Sequence, residues 1–269
     1  MITISNQYFP DFSADLHRGD CLEVMKTLPD QSIDLIFTSP PYNLGTTSGG
    51  GFPKQKGKWQ SAALVNGYTS HTDDMPHADY VAWQRAVLTE CWRLLSPKGA
   101  IYYNHKPRVQ NGLLVTPLEL NPGLPLRQIV IWKRHGGINF SPSFYLPTHE
   151  WIMILAKPDF RLRDKRASGA KDIWEIAQER NNKHPAPFPV ELPAIALETT
   201  SAKVILDPFM GSGTTGMACL RHDRRFIGIE LDQGYFDMSV ERITQGLESR
   251  SPVSHPMPGG AAEPVVAVP

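Results

Sequence analysis

The sequence predicts an α/β fold, a mostly parallel sheet with helices on both faces. Short apolar runs alternate with helix-period segments from one end of the chain to the other. Most of those runs lack the polar alternation of a half-exposed strand, as expected when both faces are covered. A length of 269 residues suits one domain of ordinary α/β size. In chain order, Leu16–Arg18 is the first strand, followed by a helical pattern at Cys21–Thr27 and a buried strand at Ile33–Thr38. Tyr80–Leu95 is a helix, and Ala100–Asn104, Leu126–Trp132 and Trp151–Ala156 are strands. The helix Val190–Thr199 carries Pro193, which fits only in its first turn. Strand Val204–Leu206, helix Gly216–Arg221, strand Phe226–Ile229 and helix Tyr235–Leu247 complete the pattern.

Composition excludes several classes. With 41% hydrophobic and 20% charged residues, the chain is neither disordered, collagenous nor a coiled coil. Its 27 Lys+Arg balance 27 Asp+Glu, so a nucleic acid would need a local basic surface. The three cysteines, Cys21, Cys91 and Cys219, lie far apart without a CxxC pair, and the nine histidines do not cluster. Neither a disulfide framework nor a metal site is expected. There is no apolar run of about eighteen residues and no signal pattern, so a cytoplasmic protein without a membrane partner is expected.

Near the C-terminus, Val204-Ile-Leu-Asp207-Pro-Phe-Met-Gly211-Ser-Gly213-Thr-Thr-Gly216 runs from strand through glycine turn to helix. Such glycines let a ligand approach the backbone and meet N–H groups at a helix start. Gly211, Gly213 and Gly216 satisfy GxGxxG, a weak signal that a plain strand-turn-helix also meets. A second strand ends about twenty residues later in Glu230, whose carboxylate suits the two hydroxyls of a ribose. Asp207 precedes the first glycine, and an acid facing the loop would repel phosphate and attract an amine. S-adenosylmethionine fits that pattern. A P-loop does not, because no Lys follows the glycines.

Near the N-terminus, the strand Ile33–Thr38 runs into Ser39-Pro40-Pro41-Tyr42. Two prolines stiffen the turn. It can offer Ser39 Oγ and the Pro40 carbonyl as paired acceptors with Tyr42 beside them. An exocyclic base amine is a poor nucleophile, because its lone pair is conjugated into the ring. Two acceptors on its hydrogens would free that lone pair, while Tyr42 stacks on a base that has left the duplex. In isolation, the segment also fits a Pro-Pro turn closing a strand. Both motifs follow strand ends, where ligands of an open parallel sheet bind.

On these motifs the sequence resembles the amino-methylating DNA methyltransferases, in the permuted (beta-class) order where the catalytic motif precedes the cofactor loop. The resemblance covers roughly Leu16–Gly246. It implies a Rossmann-like, seven-stranded methyltransferase sheet with one antiparallel edge strand. It implies that Asp207, Pro208, Phe209, Gly211, Ser212, Gly213 and Thr214 cradle S-adenosylmethionine, with Glu230 and Leu231 at its ribose. Asp20, with Cys21, would contact the adenine ring, and His184, Pro185 and Phe188 the methionine end. Adenine-modifying relatives often carry Lys at the place of Phe188 and Asp at the place of Ser39. Both departures favour cytosine-N4 over adenine-N6. Relatives of this order are often homodimers, and a cognate restriction endonuclease is a further expected partner.

The expected domain spans 1–249, with target-recognition insertions near 43–72, 133–147 and 160–183 and a disordered tail over 250–269. The first insertion offers Lys54, Lys56 and Lys58 to a DNA backbone, and the others offer Arg134, His135, Asn139, Arg163 and Arg166. Each charged stretch is equally compatible with a solvated loop. Cytosine-C5 chemistry would need a thiol nucleophile, usually beside proline, and no Pro-Cys dipeptide occurs. A nicotinamide oxidoreductase would leave Ser39–Tyr42 and Asp207 unexplained. A DNA-binding module without turnover would leave the intact catalytic turn unexplained.

Overall fold

The computed structural model describes residues 1–43, 75–110, 112–135, 141–178 and 188–250. Among them, nine strands form one sheet. These are β1 (Ile2–Ile4), β2 (Ser13–Arg18), β3 (Ile33–Thr38), β4 (Leu95–His105), β7 (Leu126–Lys133), β8 (His149–Ala156), β9 (Ile173–Glu175), β10 (Val204–Asp207) and β11 (Arg225–Glu230). Their order across the sheet is β1-β2-β11-β10-β3-β4-β8-β7-β9. A separate hairpin pairs β5 (Arg108–Gln110) with β6 (Leu113–Val115). The helices are α1 (Cys21–Thr27), α2 (His77–Leu94), α3 (Lys165–Ser168), α4 (Glu191–Thr199), α5 (Thr214–Arg221) and α6 (Gln233–Arg250).

Alternate residues of the central strands feed two cores. Leu35, Phe37, Tyr102, Ile205 and Phe226 pack with α4, α5 and α6 on one face. Ile36, Ile101, Tyr103, Leu206 and Ile227 pack with α1 and α2 on the other. Pro193 stands in the first turn of α4, the one place in a helix where its missing N–H is harmless.

The α/β class holds, with two corrections to its detail. The sheet has nine strands, because β1 adds antiparallel to β2 and β9 adds parallel to β7. The antiparallel strand of the catalytic half, β8, is not at an edge but lies between β4 and β7. Burial explains the order: five consecutive residues of β8 are buried, whereas β7 is exposed over its first three residues. A strand that apolar needs a neighbour on each side. The segment 160–183 is partly sheet and helix and not simply an inserted loop, and Arg250, predicted as the first residue of the tail, is the last residue of α6. The remainder of that tail, 251–269, lies outside the described residues, as does nearly all of the 43–72 insertion.

β10 lies beside β3 in parallel, pairing Ile205 with Leu35 and Leu206 with Ile36. Both strands end at the same edge, and Asp207 joins those ends. Its fully buried carboxylate accepts from Thr38 Oγ1 at 2.8 Å, Thr215 Oγ1 at 2.7 Å and the Phe209 N–H at 3.1 Å. Asp207 thus does not face a ligand across the glycine loop, and the expected attraction of an amine to its carboxylate is corrected. Burial pushes this carboxyl up to about 6, against the opposing pull of its three donors.

Two outcomes follow from that buried carboxylate. Asp207→Ala strands two hydroxyls and an N–H, and should lower stability by about 2–4 kcal/mol in urea unfolding. A folded-state value near 6 above an ordinary 3.8 means that proton uptake favours the folded state. That contribution is complete below the unfolded value and lost as pH rises through about 6. The melting temperature of the parent relative to Asp207→Asn should therefore be more favourable at pH 5 than at pH 8.

Candidate active site

Ser39-Pro40-Pro41-Tyr42 leaves the carboxyl end of β3 as a turn held from several sides. Tyr80 of α2 donates its hydroxyl to the Pro41 carbonyl at 2.8 Å, and Arg108 of β5 donates to the Tyr42 carbonyl. Asn43 closes the turn in the left-handed region, at φ 53°, a conformation that Asn tolerates better than most residues. Its side-chain amide donates to the Met75 carbonyl at 2.8 Å.

Within the turn, Ser39 Oγ lies 2.9 Å from the Tyr42 hydroxyl. The Tyr42 hydroxyl donates to Glu150 Oε2 at 2.9 Å, and Asn104 Nδ2 reaches that hydroxyl at 2.9 Å and Ser39 Oγ at 3.2 Å. The Tyr42 ring packs against the His105 ring with centroids 4.4 Å apart. Burial, then the Glu150 carboxylate, push the Tyr42 phenol well above its usual range, so it stays a neutral donor. Burial drives His105 down to about 3, leaving it an uncharged platform that Tyr80 also contacts, hydroxyl to Nε2, at 2.9 Å.

The glycine loop stands one strand away. Gly211 and Gly213 adopt φ of 50° and 77°, which a side chain would strain. The Gly211 N–H points to Glu230 Oε2 at 2.9 Å, and the Asp232 N–H to Oε1 at 2.8 Å. Glu230 ends β11 and pairs with Arg18 at the end of β2, so Asp20 follows close by, exposed and capping α1 through the Leu22 and Glu23 N–H groups. The structure thus gathers Asp20, Gly211 and Glu230 with the Ser39–Tyr42 turn at one edge of the sheet. Burial raises the Glu230 carboxyl to about 6.

Other predicted residues sit differently. Ser212 and Thr214 are buried and accept from Arg242 of α6 at 3.1–3.3 Å, so their side chains face the protein. Pro208 is buried, and Phe209 meets Trp83 edge-on at 5.6 Å. Leu231 is exposed. Phe188 packs at 5.6 Å against Phe37 and belongs to the core. The Cys21 thiol is buried beside α2, and burial pushes it up to about 12.

Among the basic residues, His135 is exposed after β7, at the same edge as the catalytic turn. Arg134 is corrected: it is mostly buried, paired with Glu150 at 3.3 Å and hydrogen-bonded to the Pro147 carbonyl at 3.1 Å. Arg163 and Arg166 are corrected too. The Arg163 N–H binds the Thr199 carbonyl where α4 ends, before β10 begins, so both flank the edge opposite Ser39. Lys54, Lys56, Lys58, Asn139, His184 and Pro185 lie outside the described residues. Sequence reasoning missed Asn104, His105 and Glu150. The available signal was a polar residue interrupting the apolar run at the site end of β4 and β8.

A profile of the DNA methylase family matches residues 33–241, more than half of the chain. The chain belongs to the N6/N4 DNA methylase family. It is similar to the type II methyltransferase M.BglII of Bacillus subtilis, 25% identical over 85% of this chain and 68% of that one. Its fold resembles TTHA0409 of Thermus thermophilus, solved in complex with S-adenosyl-L-methionine, at 26% identity and TM-score 0.62 over 87% of this chain and 94% of that one. It also resembles the cytosine-N4-specific PvuII DNA methyltransferase, at 19% identity and TM-score 0.65 over 87% and 91% of the two chains, a likeness of fold alone.

The enzyme is an S-adenosyl-L-methionine-dependent DNA amino-methyltransferase. The residues present suit that cofactor: carboxylate acceptors at Asp20 and Glu230 match hydroxyl and amine donors, and the glycine turn leaves room for close approach. The nicotinamide reading falls away. Among the described residues, no helix is long and apolar enough to cross a membrane, and no group of three or more His, Cys, Asp and Glu could hold a metal. Burial raises the Cys91 and Cys219 thiols as well, well above their ordinary value. In the native enzyme at pH 8, a thiol-disulfide reagent followed by absorbance should therefore label none of the three cysteines, and all three after unfolding.

Proposed function

We propose that the enzyme turns a cytosine out of duplex DNA and methylates its exocyclic N4 amine directly, with no covalent bond to the protein. The observation that carries this reading is the Ser39 hydroxyl beside the Tyr42 ring at the end of β3, one strand from the glycine loop. Glu230 and Asp20 would receive the cofactor's hydroxyl and amine hydrogens, and Gly211 and Gly213 would let it approach the backbone. S-adenosylmethionine, when bound, would supply a methyl group on a sulfonium centre to the amine nitrogen, its sulfur leaving as a neutral thioether. Ser39 Oγ and the Pro40 carbonyl hold the amine hydrogens and free its lone pair. Tyr42 stacks on the base, and water takes the released proton.

Cytosine is favoured over adenine by Ser39 and Phe188, which replace the Asp and Lys of adenine-N6 relatives. The His135 segment and the 43–72 insertion are the proposed contacts to DNA, the domain being the 1–249 unit. The type II relatives support a cognate restriction endonuclease as partner and a cytoplasmic enzyme acting on double-stranded DNA. A homodimer follows from the resemblance alone.

Incubation with unmethylated genomic DNA and labelled S-adenosylmethionine, then digestion and mass spectrometry, tests the reading. Labelled N4-methylcytosine is expected. N6-methyladenine would keep the mechanism and refute base selection by Ser39, and unlabelled DNA would refute the DNA acceptor. Tyr42→Ala should lower turnover about tenfold or more while cofactor affinity stays near the parent's, since stacking contributes roughly 1–3 kcal/mol per base. Because Glu230 is protonated below about pH 6, calorimetric affinity for S-adenosylmethionine should weaken from pH 7 to pH 5. Glu230→Gln should bind about tenfold more weakly at pH 7 and lose that pH dependence.

A further inference from the structure

Among the described residues, two cations beside the Ser39–Tyr42 turn have no counter-ion. Lys106 follows β4 and Arg108 opens β5, with the buried Pro107 between them. Proline fixes its own φ and holds the preceding residue extended, so side chains two apart emerge on one side. Both cations line a single cleft with His77, Tyr80, His105 and Glu119. The carboxylates nearby are engaged elsewhere. Glu150 faces Arg134 at 3.3 Å, and Glu119 Oε2 lies 3.0 Å from His77 Nε2.

An ammonium partly withdrawn from water without an anion beside it is costly. Burial, then the Arg134 charge, push Lys106 below the usual lysine range. Arg108 is half-committed. Its Nη1 donates to the Tyr42 carbonyl and its Nε to Gln110 Oε1 at 3.3 Å, while Nη2 of the same planar fork has no partner among the described residues. The chain has as many acids as bases, so a DNA strand needs a local basic surface to hold it. Arg134, which the sequence offers for that task, is spent on Glu150.

We propose that Lys106 and Arg108 clamp a backbone phosphate of the target strand, on one side of the nucleotide whose base lies against Tyr42. The phosphate supplies the negative charge that both cations lack, accepting from Lys106 Nζ and Arg108 Nη2. Arg108 holds the Tyr42 carbonyl with the same guanidinium, so the clamp ties the strand to the turn that receives the base. Such a contact sets register and reads no sequence. The inference rests on the DNA-amine reading above and adds the side chains that hold the strand.

Substrate and enzyme can be altered together to test it. The target base and its sequence are first mapped from the parent's methylated DNA. Duplexes then carry one methylphosphonate, a neutral stand-in for phosphate, on either side of the target nucleotide or several nucleotides away. Dissociation constants and single-turnover rates are compared for the parent, Lys106→Met, which keeps the stem without the charge, and Arg108→Lys. At one flanking position the neutral group should weaken binding by the parent about tenfold. Lys106→Met should lose a similar factor on unmodified DNA and little more with that analogue, while the distant analogue costs both enzymes alike. Its slope of log affinity against log salt should be shallower by about 1. Its affinity for S-adenosylmethionine should stay within about twofold of the parent's.

Arg108→Lys, which keeps the charge and loses the fork, should bind DNA more weakly and respond less than the parent to the same analogue. Penalties that multiply at both flanking phosphates, a parental salt slope in Lys106→Met, or an equal loss of cofactor affinity would overturn the proposal. Should Lys106→Met fail to unfold cooperatively, multiplying penalties in Arg108→Lys overturn it alone. A parent that labels no DNA nucleoside overturns the proposed function, and the proposal with it.

Discussion

Thr38 and Asp207 stand 169 residues apart in the chain and meet at 2.8 Å across the ends of two parallel strands. Thr38 is the last residue of β3 before Ser39, and Asp207 the last residue of β10, with three residues between it and Gly211. Their contact joins the two motifs of the site. The same carboxylate draws in Thr215 of α5, so strand, loop and helix converge on one buried acceptor. A buried carboxylate is tolerated here because three donors surround it. That arrangement resists sliding of β3 against β10, and with it any change in the spacing of the Ser39–Tyr42 turn and the glycine loop.

Around this tie, the central strands are apolar on both faces, and a buried polar cluster gathers at their carboxyl edge. Two cores, one under α4–α6 and one under α1 and α2, leave the strands no freedom to tilt. The polar groups at the edge are organised by charge. Glu150 faces Arg134, and the Ser39–Tyr42–Asn104 cluster takes its direction from that pair. Glu230 holds the glycine loop through two backbone N–H groups. In both halves of the site a carboxylate positions neutral groups through hydrogen bonds.

The buried histidine beside Tyr42 belongs to the same logic. His105 is neutral at any ordinary pH, so it adds an aromatic surface without a charge that would oppose a cationic cofactor. The surrounding hydrogen bonds from Tyr80 and Arg108 fix the backbone of the catalytic turn. A turn clamped at successive carbonyls presents its side chains with little reorganisation, which is what an acceptor pair for a weak nucleophile needs.

Local pattern alone determined a good deal. Apolar runs marked all the long strands, and Gly211, Gly213, Glu230, Ser39 and Tyr42 stood out because residue type at short spacing singles them out as candidates. The short strands β1, β5, β6 and β9 escaped, since three residues carry too little periodicity. The place of β8 inside the sheet, the burial of Asp207 and the pairing of Arg134 with Glu150 were decided by tertiary structure. Charge on a side chain says nothing of which neighbour will neutralise it. Arg134 read as a DNA contact for that reason, while Asn104 and Glu150 were invisible. Their meaning lies in distances between strands 46 residues apart, which only the folded sheet sets.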